Sequence, residues 1–251
     1  MKICVSGKGG VGKTTFAATL SRILSKEREV IAIDADPDFN LHNALGIDVG
    51  NLTPLSEMKE LIRERTGADP DAFGAVFRLN PRVSDLPERI WVEDDNIKFI
   101  LLGTIKVGGG GCACPANVLL QRFLQNLFLK DYHVVVDMEA GIEHLGRATS
   151  KYTDILILIV EPSVNSLQTA QKIQKLALEL GIERICVVGN KVMNEMEEEF
   201  ILERFPNSLG VIPYDPIIRR LELSGGSLTK HKKSKAYKKI VEITEKITKK
   251  Q

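Results

Sequence analysis

The chain opens on Lys2-Ile3-Cys4-Val5-Ser6, an apolar run of strand character, and passes straight into Gly7-Lys8-Gly9-Gly10-Val11-Gly12-Lys13-Thr14-Thr15. Glycines at 7, 9, 10 and 12 let backbone N–H groups turn inward around an anion, while a helix beginning near Lys13 aims its positive end at the same point. Lys13 is placed to neutralise β- and γ-phosphates, and the Thr14 hydroxyl to ligate magnesium. The expected ligand is a nucleoside triphosphate held by Gly9, Gly10, Val11, Gly12, Lys13, Thr14 and Thr15. Gly7-x-Gly9-x-x-Gly12 also satisfies the dinucleotide fingerprint, with Asp34 about where a ribose-binding acid belongs. Lys13-Thr14 argues against that reading: a dinucleotide wants close, uncharged backbone approach where a γ-phosphate and its metal want a cation and a hydroxyl. Lys8 is one cation more than the pattern requires.

At 251 residues, with 43% hydrophobic and 27% charged, the chain suffices for one large α/β domain over 1–251. No run reaches the roughly 18 apolar residues of a membrane span, and the first strand lacks the flanks of a secretory signal, so a cytoplasmic protein is expected. The net charge of +1 hides a division: residues 230–251 hold nine lysines against Glu242 and Glu245, a local +7 that leaves −6 elsewhere. Ala236, Ile240, Ile243 and Ile247 recur at helical spacing, which predicts a basic C-terminal helix docked by one stripe with its lysines in solvent. The stripe lacks the Trp, Phe and Leu that bury well at a membrane interface, and nucleic acid is not expected as a partner.

Apolar runs alternate with amphipathic stretches in the manner of βα units building a buried, mostly parallel sheet of about seven to eight strands flanked by helices. Strands are predicted near 2–6, 29–34, 97–102, 132–137, 154–160, 183–189 and 208–212. Helices are predicted near 14–26, 55–65, 116–130, 164–180, 194–204 and 233–249. Residues 66–96, rich in charge and carrying Pro70, Pro81 and Pro87, read as a surface excursion in which Trp91 packs rather than acts.

Ligands of open parallel sheets sit beyond the carboxyl ends of the strands, so the residues just after each strand matter most. After the second strand, Asp34-Ala35-Asp36-Pro37-Asp38-Phe39-Asn40 turns three carboxylates and an amide toward the phosphates. After Tyr132-His133-Val134-Val135-Val136, Asp137 is the expected magnesium anchor, direct or through water, and Gly141 can bring an N–H to the γ-phosphate. Further on, Gly189-Asn190-Lys191 offers an amide for a purine edge, and Ile212-Pro213-Tyr214 an apolar wall.

KGGVGKTT, IDADPD, VVVDMEAG and the late GNK together resemble the deviant Walker A ATPases, a P-loop group that includes MinD, ParA and the nitrogenase iron protein. The resemblance spans essentially the whole chain. It implies a homodimer with ATP sandwiched between subunits, in which Lys8 reaches across to the partner's phosphates. It makes Lys8, Lys13 and Asp36 catalytic, with Asp36 positioning the attacking water. It puts Thr14 and Asp137 on magnesium and Asn190 on adenine.

The four cysteines divide in two. Cys4 and Cys186 lie in apolar strands as small hydrophobes. Cys112 and Cys114 follow Gly108-Gly109-Gly110-Gly111 and precede a helix whose apolar stripe is Leu120, Phe123, Leu124, Leu127 and Phe128, so a helix N-terminus favours negative charge on Cys114. In a reducing compartment such a pair points to metal. Two thiolates fall short of a closed zinc site, which takes four ligands, so the site is either open and exchangeable or shared across a twofold axis. The dimer asked for by Lys8 provides that axis.

The iron-protein comparison breaks at Gly141-Ile142-Glu143-His144-Leu145, which holds no second cysteine. The Cys-x-Cys loop with DMEAGIEHLGR is instead most similar to the CooC-type accessory ATPases of carbon monoxide dehydrogenase maturation. That resemblance makes Cys112 and Cys114 ligands of Ni2+ or Zn2+, with apo carbon monoxide dehydrogenase as client. Affinity order alone does not choose the metal. The expected function is ATP-driven nickel insertion. The rival expectations are a positioning switch on membrane or DNA, supported only by the basic tail, and an iron–sulfur assembly scaffold.

Overall fold

Each expected strand forms where its apolar run is long enough to be buried on both faces. The computed structural model describes residues 1–70, 76–103, 114–142 and 150–249. The strands are β1 (Lys2–Gly7), β2 (Val30–Ala35), β3 (Val92–Asp94), β4 (Ile97–Leu101), β5 (His133–Met138), β6 (Ile155–Val160), β7 (Ile185–Val192) and β8 (Gly210–Pro213). They form one eight-stranded sheet in the order β3-β4-β2-β5-β1-β6-β7-β8, parallel except for the antiparallel β3–β4 pair.

The helices are α1 (Lys13–Leu24), α2 (Leu41–Leu45), α3 (Lys59–Thr66), α4 (Pro87–Ile90), α5 (Pro115–Leu129), α6 (Val164–Glu179), α7 (Glu195–Leu202), α8 (Pro216–Ser224) and α9 (Lys235–Lys249). The strands explain the layering. Ile31, Ile33, Val134 and Val136 pack one way, with Phe123 and Leu127 of α5, Ile62 of α3 and Ala170 of α6. Ile3, Val5, Ala32 and Val135 pack the other way, with Phe16 and Leu20 of α1, Leu41 of α2 and Ile240 of α9. A sheet covered on both sides needs strands without polar alternation, and Ile155–Val160 is buried at every position.

The basic helix docks as expected. Ala236, Tyr237, Ile240, Ile243 and Ile247 are buried against α1 and β8, while Lys238 and Lys249 are exposed. Two segments depart from expectation. The stretch 66–96 is no simple excursion: Val83, Leu86 and Ile90 enter the core under α5, although Val76 and Leu79 stay exposed. The antiparallel strand β3 was not expected, because three residues with two acids carry no apolar period. Trp91 packs as read, with the Lys98 ammonium 4.1 Å from its ring centre. Among the described residues no helix is long and apolar enough to cross a membrane.

Candidate nucleotide and metal sites

The glycine-rich loop joins β1, which lies between β5 and β6, to α1. Gly7 has φ 149°, and a Cβ there would stand 2.3 Å from the Ile159 carbonyl oxygen, so the loop leaves the sheet where only glycine fits. The loop and the start of α1 line a cavity of about 720 Å3, within the usual range for small-ligand sites. Gly9, Gly10, Gly12, Lys13, Thr14, Thr15 and Asp36 all line it, so most of the expected phosphate and catalytic residues meet in one place.

The Lys13 ammonium is buried, 3.9 Å from Asp36 and 3.5 Å from the Lys8 carbonyl oxygen. Asp34 and Asp137 are paired across β2 and β5 at their carboxyl ends. Asp34 is fully buried but satisfied: its carboxylate accepts the N–H groups of Leu41 (2.9 Å) and Asp36 (3.2 Å), which fixes the loop that carries Asp36. Burial raises its pKa to about 6 against the pull of those two bonds. Asp34 is thus the steadying acid of this loop.

Asp137 differs. It is fully buried, and among the described residues neither carboxylate oxygen closes a hydrogen bond. Burial raises its pKa to about 8, the neighbouring Asp34 adds to the rise, and the Thr14 hydroxyl and Lys13 oppose it. A buried carboxylate without partners, beside a hydroxyl at the foot of a phosphate loop, suits a hard divalent cation taken with oxygen ligands. Thr14 and Asp137 therefore fit Mg2+.

Other expected contacts stand elsewhere. Gly141 donates its N–H to Ser6 Oγ (3.3 Å), and its carbonyl accepts the Ser6 hydroxyl (2.8 Å), so a γ-phosphate would have to displace that bond. Asn190 is buried and donates to the Val11 carbonyl (2.7 Å), and Lys191 donates to the Gly10 carbonyl (2.6 Å). Both side chains hold the backbone of the loop, and neither lines the cavity. Pro213 ends β8 half-buried, and neither it nor Val11 lines the cavity.

The opposite wall was missed from sequence. Ile218 and Leu221 of α8, with Gly225 and Gly226 beyond it, close the cavity away from the loop. The signal was present: Asp215 caps α8 through the Ile217 N–H, Pro216 sits at its first turn, and Ser224-Gly225-Gly226 ends it.

Of the cysteine pair, Cys112, like His144, lies outside the described residues. Cys114 is the N-cap of α5, half-buried, and its Sγ accepts the Asn117 N–H at 3.4 Å. Among the described residues no three His, Cys, Asp or Glu side chains converge as a metal site. Cys4 is sealed in β1, where burial pushes its thiol up to about 12, as a structural hydrophobe should be.

A family model described as the CobQ/CobB/MinD/ParA nucleotide binding domain matches residues 2–228. The carbon monoxide dehydrogenase accessory protein CooC of Rhodospirillum rubrum is 46% identical over 232 residues, covering 90% of this chain and 88% of that protein. An uncharacterized ATP-binding protein of Methanocaldococcus jannaschii, MJ0823, is 44% identical over 97% of this chain and 96% of its own length. The septum site-determining protein MinD of Pyrococcus horikoshii, complexed with Mg-ADP, superposes with a TM-score of 0.68 at 24% identity, covering 98% of this chain and 94% of that one. The chain therefore belongs to the CobQ/CobB/MinD/ParA nucleotide-binding family and is a P-loop ATPase of that family.

Proposed function

We propose that this chain is a homodimeric ATPase that carries nickel on Cys112 and Cys114, shared across the dimer axis, and inserts it into apo carbon monoxide dehydrogenase. The observation that carries this reading is the 46% identity to the Rhodospirillum rubrum accessory protein over 90% of this chain. The Cys-x-Cys pair ahead of α5 gives that client a cargo site, and the ligand shortage of one pair gives the dimer a purpose.

The chain's own groups account for the coupling. Lys13 pairs with Asp36 at 3.9 Å. A triphosphate in the loop draws Lys13 onto its β- and γ-oxygens, which frees Asp36 to orient the attacking water. Thr14 and Asp137 would hold Mg2+, which would supply neutralisation of phosphate charge. The partner's copy of the residue at position 8 brings the remaining cation across the interface, closing the dimer and drawing the two cysteine loops toward the axis. Loss of the γ-phosphate removes what both lysines hold, and the dimer opens as a two-state switch.

The positioning-switch rival rests on the basic tail, and α9 has its apolar stripe already in the core, so a membrane would meet a mixed charged face of Lys238, Glu242, Glu245 and Lys249. The iron–sulfur scaffold rival finds no cysteine in residues 139–149, the stretch directly after β5. Apo carbon monoxide dehydrogenase mixed with nickel, Mg-ATP and this chain is expected to gain activity several-fold over the mixture without ATP. Equal activation with and without the chain would refute the client assignment.

A further inference from the structure

Within the nucleotide site proposed above, two side chains of β7 grip the phosphate loop from behind. Asn190 donates to the Val11 carbonyl at 2.7 Å and Lys191 to the Gly10 carbonyl at 2.6 Å. Consecutive strand residues face opposite sides of a sheet, so for two neighbours to hold two adjacent carbonyls the strand must be distorted. The distortion is present. Register with β8 shifts between Gly189 and Val192, and Lys191 lies at φ 61°, in the left-handed region. Bulges re-aim side chains in this way, and backbone strain at a loop-facing residue persists only where the surroundings impose it. Lys191 is further braced by Glu161 at 3.9 Å, whose own N–H is held by Ser166 Oγ. Gly12, at φ 96°, has no room for a Cβ, which would stand 2.3 Å from Asn190 Nδ2.

The consequence follows from the planar trans peptide, in which a carbonyl and the next residue's N–H point in opposite directions. Turning the Gly10 and Val11 carbonyls back onto β7 aims the N–H groups of Val11 and Gly12 to the inner side of the loop. There the Val11 N–H makes only a long 3.4 Å contact with the Lys8 carbonyl.

We propose that Asn190 and Lys191 are positioning residues, a two-point clamp that holds these carbonyls outward and so presets the anion nest for the triphosphate regardless of the base. The clamp rests on the nucleotide reading, and the test separates the two. Lys191 is half-exposed, so Lys191→Met should fold, with Asn190→Ala as the second, buried variant and Lys191→Arg as the conservative one.

Calorimetry with Mg-ATP and with inorganic tripolyphosphate plus Mg2+ reads the outcome. Lys191→Met should weaken both ligands by the same factor, about tenfold for one charge-assisted hydrogen bond, and Lys191→Arg should recover most of that loss. Loss for ATP alone would make these residues nucleoside contacts and overturn the clamp, as would unchanged binding of both. A wild-type protein that binds neither ligand would sink the nucleotide site itself, and the clamp with it.

Discussion

Lys8→Ala yields a folded, nucleotide-binding protein whose ATP turnover is lower by roughly a thousandfold, the scale of a trans-acting cation at a transferring phosphoryl group. Folding survives because the loop uses only the backbone of residue 8: its carbonyl accepts from the Val11 N–H and from Lys13 Nζ. The ammonium has no hydrogen bond or ion pair among the described residues, so no internal contact is lost. Phosphate release measured over a protein dilution series reads the effect. Mixing Lys8→Ala with Asp36→Ala separates trans from cis action, since an intact Asp36 site in a mixed dimer receives Lys8 from its partner. Activity should reappear in the mixture. Turnover at the normal rate in Lys8→Ala alone, or no recovery on mixing, contradicts the trans-lysine reading.

Asp137→Asn should act on stability and turnover in opposite directions. In the unfolded chain this carboxyl ionises near its ordinary 3.8, whereas in the folded protein burial holds the proton to about 8. Between those values the folded state binds more protons, so the residue's contribution to stability falls as pH rises, and above about 8 the full cost of the buried charge is present. Asparagine keeps the shape without the charge. Free of nucleotide and Mg2+, the variant should therefore melt above wild type at pH 8, with the gap closing toward pH 4. Its Mg-dependent turnover should collapse, because a metal held by Asp137 and Thr14 would supply several kcal/mol of charge stabilisation. A variant less stable than wild type at pH 8, or one hydrolysing ATP normally, would remove Asp137 from the metal site.

The parts of this molecule written in apolar runs were legible in advance. Residues 155–160 and 133–138 could only be buried strands, and the glycines between Gly7 and Gly12 announced both the loop and its ligand. Asp34 and Asp137 were legible as strand-end acids, with Asp137 as the expected magnesium anchor, but the contact that sets them apart was not. Leu41 N–H satisfies one, while among the described residues the other's carboxylate oxygens close no hydrogen bond, and that follows from a contact seven residues along the chain rather than from residue type. Strand β3 was hidden because Val92-Glu93-Asp94 gains its pairing from β4 and not from any pattern of its own. In 66–96 the prolines and charges masked Val83, Leu86 and Ile90, whose burial depends on the facing side of α5. Asn190 and Lys191 were read as nucleotide contacts from their place after a strand. A bulge that turns Lys191 to positive φ has no signature in a lysine, so their grip on the loop had to be seen.

The proposed metal site shares the two thiols of each of two copies of the chain, so in wild type metal content and assembly should change together. Nickel per chain and molecular mass, measured on the wild type and on Cys112→Ala/Cys114→Ala with and without a non-hydrolysable ATP analogue, test it most directly. Wild type with the analogue should be dimeric and hold about one nickel ion per two chains, while the double variant should dimerise without nickel. Equal nickel in wild type and double variant would contradict a metal site at Cys112 and Cys114.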